Sequence, residues 1–253
     1  MSKQDIENGS SHTCDTYGTH DTYGTYSIYC SFDKDIQDIQ EAKTKNAFIA
    51  KIYSILTIQL ITTLTMSYLF YTNAKLTTFV LKNTGLLVTT TLFTFLFLIL
   101  SWFYGKTSPA NYFILAGFTL CEAYSVSYIS LYYDPTSIML AWGLTATTFI
   151  NLTIYVLVTK KDFNYLGAGL ATSLWIVIAG SLIQIIWLPN DMYLRTSMAV
   201  LGSLIACGYI LYDTSDIVNR LEPDEFVYAC MGLYLDIIML FVRLLELFGT
   251  ERK

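Results

Sequence analysis

The sequence predicts an all-α fold, a polytopic transmembrane bundle of seven apolar helices. Three observations predict it. Apolar residues, 54% of the chain, fall in seven long runs rather than an even spread. Each run has roughly 20 residues or more, enough to cross a hydrocarbon core of about 30 Å as a helix. Charged residues are only 14% of the 253, about half the usual share of a soluble domain.

Residues 1–46 read as a polar tail with little to bury, so disorder is expected there. The tail carries a short repeat, Asp15-Thr-Tyr-Gly-Thr19 and Asp21-Thr-Tyr-Gly-Thr25, whose Tyr17 and Tyr23 are candidate docking or modification points. Asn8-Gly9-Ser10 matches a glycosylation acceptor, unused if the tail is cytosolic. No apolar targeting region occurs in the first 30 residues, so the first span is expected to serve as the signal.

The spans follow from Ala47 as a second unit, residues 47–253. They are Ala47–Tyr71, Gly85–Tyr104, Asn111–Tyr132, Thr136–Val158, Leu166–Leu188, Leu194–Val218 and Phe226–Phe248. The connections are short, so neighbouring helices should run antiparallel. Tyr68, Tyr71, Trp102, Tyr104, Tyr132, Tyr133 and Trp187 sit near span ends, as interfacial aromatics do. Gly167, Gly169 and Ala171 form a small-residue stripe suited to close helix packing. Gln59, Asn151 and Gln184 read as interhelical hydrogen-bonding groups, and Lys51 as a lysine reaching for the interface.

Basic residues set the orientation. Lys34, Lys43, Lys45, Lys51, Lys106, Lys160, Lys161 and Arg220 fall on the side of the N-terminus, against Lys75, Lys82 and Arg195 opposite. The bias predicts a cytosolic N-terminus. The seventh segment carries Asp236, Arg243 and Glu246, so two topologies stay open: seven spans, or six and a re-entrant seventh.

The informative residues are acids at membrane depth. Asp213 and Asp236 each lie about eleven residues from the turn at Asp224-Glu225. At about 1.5 Å rise per residue they reach similar depth on a helical hairpin. An intramembrane carboxylate costs at least ~2.5–3.5 kcal/mol, so it usually faces a partner or a water-filled path. Two carboxylates a few Å apart cannot both ionise cheaply and tend to share a proton. With the proton held they bridge two helices. Without it they repel, and offer oxygen ligands to a hard cation such as Ca²⁺, held transiently. Glu122, at least ten residues from either end of its segment, is a third candidate for the ion pathway or pH sensor. It would line the same cavity or mark a bend that admits water. The alternative for each acid is a hydrogen bond to a neighbouring hydroxyl or a basic partner, with Arg243 seven residues after Asp236.

Other chemistry finds little support. The only histidines, His12 and His20, lie in the tail, so a membrane zinc site is not expected. Five cysteines without framework spacing argue against a disulfide scaffold. No basic cluster points to nucleic acid. No G-x-S-x-G elbow, H-E-x-x-H, Walker loop or Rossmann fingerprint occurs, so no enzyme is predicted. Tyr212-Asp213 mimics half of an intramembrane aspartyl protease site, but Tyr234-Leu235-Asp236 lacks the glycines of the other half.

Several strings together carry a resemblance: AFIAKIYSILTIQL at Ala47–Leu60, Pro109-Ala-Asn111, GFTLCEA at Gly117–Ala123, TKKDFNYLGAGL at Thr159–Leu170, GYILYDT at Gly208–Thr214 and LYLDIIMLF at Leu233–Phe241. In this order and spacing, the chain from about Asn46 onward resembles the lifeguard branch of the transmembrane Bax inhibitor motif family. The resemblance implies six or seven spans in Golgi and endoplasmic reticulum membranes. It implies a pH-sensitive Ca²⁺ leak that lowers the luminal store and dampens apoptosis. It places Asp213 and Asp236 on the di-aspartyl motif of the pore and Glu122 on the acid of the third span. Ca²⁺ would be the permeant ion and no resident cofactor is implied. Implied partners are the lipid bilayer, Ca²⁺ and H⁺, other cell-death or Ca²⁺-handling membrane proteins, and a second copy. Two readings compete with the leak channel: a non-conducting regulator of cell death and a proton/cation antiporter. The chain departs from the family at three places. No arginine stands in Gly85–Tyr104 to act as a latch partner, Met239 replaces an asparagine, and the tail differs from cellular members, as a viral homologue's would.

Overall fold

The computed structural model describes residues 23–187, 191–250 and 252. The helices are α1 (Tyr23–Thr72), α2 (Ala74–Lys82), α3 (Thr84–Tyr104), α4 (Ala110–Ser130), α5 (Pro135–Thr159), α6 (Gly167–Trp187), α7 (Met192–Asn219) and α8 (Phe226–Phe248). Two 3₁₀ turns, Asn164–Leu166 and Pro223–Glu225, precede α6 and α8, and no strand occurs among the described residues. Seven of the helices are long and apolar enough to cross a membrane. The predicted spans match them to within one or two residues, except at the start of α1.

The chain divides into two units, Met1–Asn46 and Ala47–Lys253. Helix α1 begins at Tyr23, inside the stretch expected to be disordered. From Asp33 to Lys45 that stretch has neither glycine nor proline and is rich in Gln, Glu, Lys and Ala, which favour helix. The tyrosine repeat and Asn8-Gly9-Ser10 lie outside the residues whose side chains are described. Helix α2 lies between the first two apolar runs, where the sequence pattern leaves only a connection. Asn73 starts it: its Oδ1 accepts from the backbone N–H of Lys75 at 3.2 Å and of Leu76 at 3.5 Å.

Hydrogen bonds at the two ends of the bundle show which way each helix runs. At one end Lys106, after α3, pairs with Asp224 and Glu225, before α8. There too Arg220, after α7, donates to Asn164 at 2.6 Å, and the Phe163 N–H donates to the Ser215 hydroxyl at 3.0 Å. At the other end the Asp134 N–H donates to the Thr250 carbonyl and the Arg252 N–H to that of Tyr132. Arg252 also lies over the Tyr71 ring at 5.2 Å. So α8 starts at the Lys106 end and finishes at the Asp134 end. Its 23 residues cover about 34 Å, a full crossing. This geometry matches the seven-span alternative, with α8 as a seventh helix long and apolar enough to cross. Two of the three charges that prompted the re-entrant alternative are neutralised locally: Arg243 Nη1 donates to Glu246 Oε2 at 2.9 Å, and Arg195 Nε lies 3.6 Å from Glu246 Oε1.

Helix α8 is the axis of the bundle. Leu233, Tyr234, Phe241 and Leu245 are fully buried, and Phe241 stacks on Trp142 of α5 with centroids 4.2 Å apart. A polar stripe on α1, at spacing four, ties that helix to its neighbours. Gln59 donates to Thr119 at 3.0 Å, Thr63 meets the Tyr234 hydroxyl at 2.7 Å, and Ser67 meets Ser127 at 2.9 Å. Such bonds hold spans together where lipid removes the hydrophobic drive between helices. Asn151, by contrast, bonds back to Thr147 of its own helix. Gly167 lets Tyr212 of α7 pack against α6, whereas Gly169 faces open space, so the small-residue stripe packs at one of its glycines only.

Candidate functional site

The site is the seam between α7 and α8. The two helices are joined by a short turn, which the Glu222–Glu225 capping box closes. The turn sets them antiparallel, and the last part of α7 lies against the first half of α8. Asp213 and Asp236 are neighbouring carboxyls across this seam, and Asp213 Oδ2 lies against α8 at Gly232. Asp236 is buried, 7% exposed, and its Oδ2 has no hydrogen-bond partner. Tyr209 and Tyr228 each lie within electrostatic reach of both carboxyls.

Gly232 makes the approach possible. It stands one turn before Asp236, on the same face of α8. A Cβ placed there would lie 2.5 Å from Asp213 Oδ2. The close contact of Asp213 with the α8 backbone therefore needs a residue without a side chain. The depth argument from the hairpin placed both acids at one level, and the structure has them there.

Glu122 is not brought to the pair. It sits between α3 and α4, where the Thr94 hydroxyl donates to its Oε2 at 3.4 Å. Its electrostatic neighbour on α8 is Tyr234. Tyr234 and Asp236 are two residues apart, about 200° around the helix, and so point to opposite sides of α8. A single cavity lined by all three acids is not what the structure shows.

The other candidate partners are engaged elsewhere. Asp216 pairs with Arg220 at 3.4 Å, one turn along α7. Lys51 places its ammonium 3.3 Å from the centroid of Phe226, at the Lys106 end of the bundle. Arg243 passes over Gly202 of α7 to reach Glu246. Arg195 of α7 lies against the same Glu246 and donates to the Tyr133 hydroxyl at 3.1 Å. This network was missed from the sequence, since Arg195 and Glu246 are 51 residues apart. Gly232 was missed as well, although a glycine one turn from an intramembrane acid is a signal that could have found it.

Among the described residues no group of three or more His, Cys, Asp or Glu side chains could hold a metal ion. The pair supplies carboxylate oxygens alone, which suits passing contact with a hard cation better than a resident metal. Cys121, Cys207 and Cys230 are free thiols.

The fold and the seam define a multi-pass helical membrane protein with two acids buried between its last two spans. The family described as inhibitor of apoptosis-promoting Bax1 matches residues 45–253. Protein lifeguard 4 of Mus musculus is 36% identical over 207 residues, 82% of this chain and 86% of that one. The Golgi anti-apoptotic protein of vaccinia virus, strain Lister, is 37% identical over 209 residues, 82% of this chain and 86% of the relative. Bax inhibitor 1 of Schizosaccharomyces pombe is 32% identical over 203 residues, 80% and 76%. The chain belongs to the Bax inhibitor family, in which lifeguard and Golgi anti-apoptotic proteins are its relatives.

Proposed function

We propose that the protein is a pH-sensitive Ca²⁺ leak channel of Golgi and endoplasmic reticulum membranes, which lowers the luminal store and so inhibits apoptosis. The observation that carries this reading is the carboxyl pair of Asp213 and Asp236 in the α7–α8 seam, with one buried oxygen unpartnered. Two carboxyls in contact are held by a shared proton. Losing it leaves two like charges in a low-dielectric layer, and α7 and α8 must part or take up a cation. Proton loss thereby opens the seam, and the exposed oxygens coordinate Ca²⁺ in transit. Glu122, on the other face of α8, is a separate polar station rather than a third member of the pair.

A cytosolic N-terminus fits the lysines of the tail, and it puts the Lys106 end in the cytosol and Arg252 in the lumen. The names of the relatives support the cell-death role and the Golgi location. A regulator that acts through other membrane proteins is the reading to set against conduction.

The deciding experiment is Ca²⁺ flux through the full chain in liposomes, measured across pH. Flux is expected to rise as pH increases through the titration of the pair, and Asp213→Asn and Asp236→Asn should each remove that response. Normal, pH-dependent flux in both variants would sink the pair as the sensor. Absence of flux in the unaltered protein, with cell death still inhibited, would favour the non-conducting regulator.

A further inference from the structure

A cavity of about 350 Å³ opens at the Asp134 end of the bundle. Its size lies within the roughly 300–1,000 Å³ usual for small-molecule sites. Arg195, in the first turn of α7, and Arg252, beyond α8, both line it. So do the tyrosines at the end of α4, Tyr128, Tyr132 and Tyr133. Among the described residues no acidic side chain lines it. Arg195 stands 18 residues before Asp213, about 27 Å along α7, so this cavity is separate from the carboxyl pair.

The two arginines are held differently. Arg195 is fixed in place by Glu246 at 3.6 Å and by the Tyr133 hydroxyl, to which it donates at 3.1 Å. Arg252 is anchored through its backbone, whose N–H donates to the Tyr132 carbonyl at 2.8 Å, and its guanidinium lies over the Tyr71 ring. The ion pairs of the described residues all involve other cations, so the charge of Arg252 is met by none of their acids. The tyrosines leave a donor over as well. The Tyr128 and Tyr132 hydroxyls lie 2.9 Å apart, and either can donate to the other. Whichever does, the second keeps its proton for another oxygen.

We propose that this cavity binds a phosphate-bearing anion through Arg252, Arg195 and the Tyr128–Tyr132 hydroxyl pair. A guanidinium presents its N–H donors as a planar fork that matches phosphate oxygens two at a time. Two such forks and a hydroxyl call for more acceptor oxygens on one group than a carboxylate has. The cavity lies where spans end, at headgroup level: Tyr132 and Tyr133 follow α4, and Arg252 follows α8. Its remaining wall is apolar and lies one turn deeper, with Leu87 in the first turn of α3 and Ile129 in the last turn of α4. An anionic phospholipid would set its phosphate on the arginines and its chains on those two residues, whereas a soluble phosphate would use the arginines alone. Arg195 opens α7 and Arg252 follows α8, so the bound group bridges the open end of the hairpin that the Glu222–Glu225 turn closes at the other.

The site rests neither on conduction nor on which end faces the cytosol, and its test does not use flux. Native mass spectrometry of the full chain in detergent counts bound molecules directly. The probes are a short-chain phosphatidic acid, a phosphatidylcholine of the same chain length, and inorganic phosphate. Phosphatidic acid should fill one saturable site and bind more tightly than phosphatidylcholine, whose choline cancels the phosphate charge. Arg252→Gln should weaken that binding roughly tenfold or more, as the loss of one charge-assisted hydrogen bond does. Arg252 is exposed, so the change leaves the fold intact. Tyr132→Phe should weaken binding several-fold. Lys82→Gln removes a cation from α2, outside the cavity, and should leave binding unchanged. Inorganic phosphate that binds and displaces the lipid assigns the site to phosphate itself, and lipid binding that phosphate leaves untouched assigns it to the phospholipid. The site is overturned if neither phosphatidic acid nor inorganic phosphate binds more tightly than phosphatidylcholine. It is equally overturned if Arg252→Gln has no effect, or if Lys82→Gln weakens binding as much, since general surface charge would then hold the anion.

Discussion

The α7–α8 and α3–α4 seams each bury an acid, and they settle it in different ways. Between α3 and α4, Glu122 meets a hydroxyl, that of Thr94, in a bond that can form with the carboxyl in either protonation state. Between α7 and α8, Asp213 meets a second acid, Asp236. That contact is favourable with one proton in it and repulsive with none. A lone acid beside a hydroxyl is a polar contact, whereas two acids on neighbouring helices couple proton count to helix separation. Composition and depth make Glu122 and Asp236 look alike, and only the partner across the seam distinguishes them.

The comparison breaks most readily at Gly232. An alanine there would bring its methyl to 2.5 Å from Asp213 Oδ2, so the carboxyl has to swing away from α8. Overpacking of this kind costs about 1–3 kcal/mol. Gly232→Ala should lower the melting temperature in detergent and disturb the pH response of flux together. Gly169→Ala is the matched control, since nothing lies within 4 Å of its Cβ position. In a helix interior that change should instead stabilise by about 0.5–1 kcal/mol. Identical melting shifts in the two variants would show that the α7–α8 contact is not the tight one.

Glu122→Gln sharpens the contrast with a smaller effect. A glutamine keeps an oxygen to accept from Thr94, so stability should change by less than about 1 kcal/mol. The pH midpoint of flux should stay where it is, while Asp213→Asn removes the response. Loss of pH sensitivity in Glu122→Gln would erase the distinction between the seams.

Much of this was legible in the sequence because membrane depth makes polarity conspicuous. Seven apolar runs gave seven spans, and the turn at Asp224-Glu225 put Asp213 and Asp236 at one level. Counting residues gives depth but not azimuth on a neighbour with which the acid shares no hairpin. That is why Glu122 was grouped with the pair although Tyr234, not Asp236, faces its side of α8. The crossing of α8 was also hidden, because Arg243 and Glu246 look too polar for a span until Arg195, 51 residues earlier than Glu246, is seen beside them. The capped helix α2 was lost to its shortness.

The smallest effect is expected where the two seams are tied together. Lys106, in the α3–α4 connection, reaches Glu225 at 3.1 Å and Asp224 at 3.3 Å, in the α7–α8 connection. All three are exposed enough for water and salt to screen them, and such pairs contribute little. Glu225 first, then Asp224, holds the Lys106 ammonium above the ordinary lysine value of 10.5. A cation whose pKa is raised on folding stabilises fully at every pH below its unfolded value, and the contribution fades only as pH rises through the folded one. The tie is therefore constant near neutrality and cannot supply a pH response there. Lys106→Ala should leave both the melting temperature and the pH midpoint of flux within error at physiological salt. A shifted midpoint in that variant would move the sensor from the carboxyl pair to the connections. An unshifted one is the outcome expected if Asp213 and Asp236 are the sensor of the proposed leak.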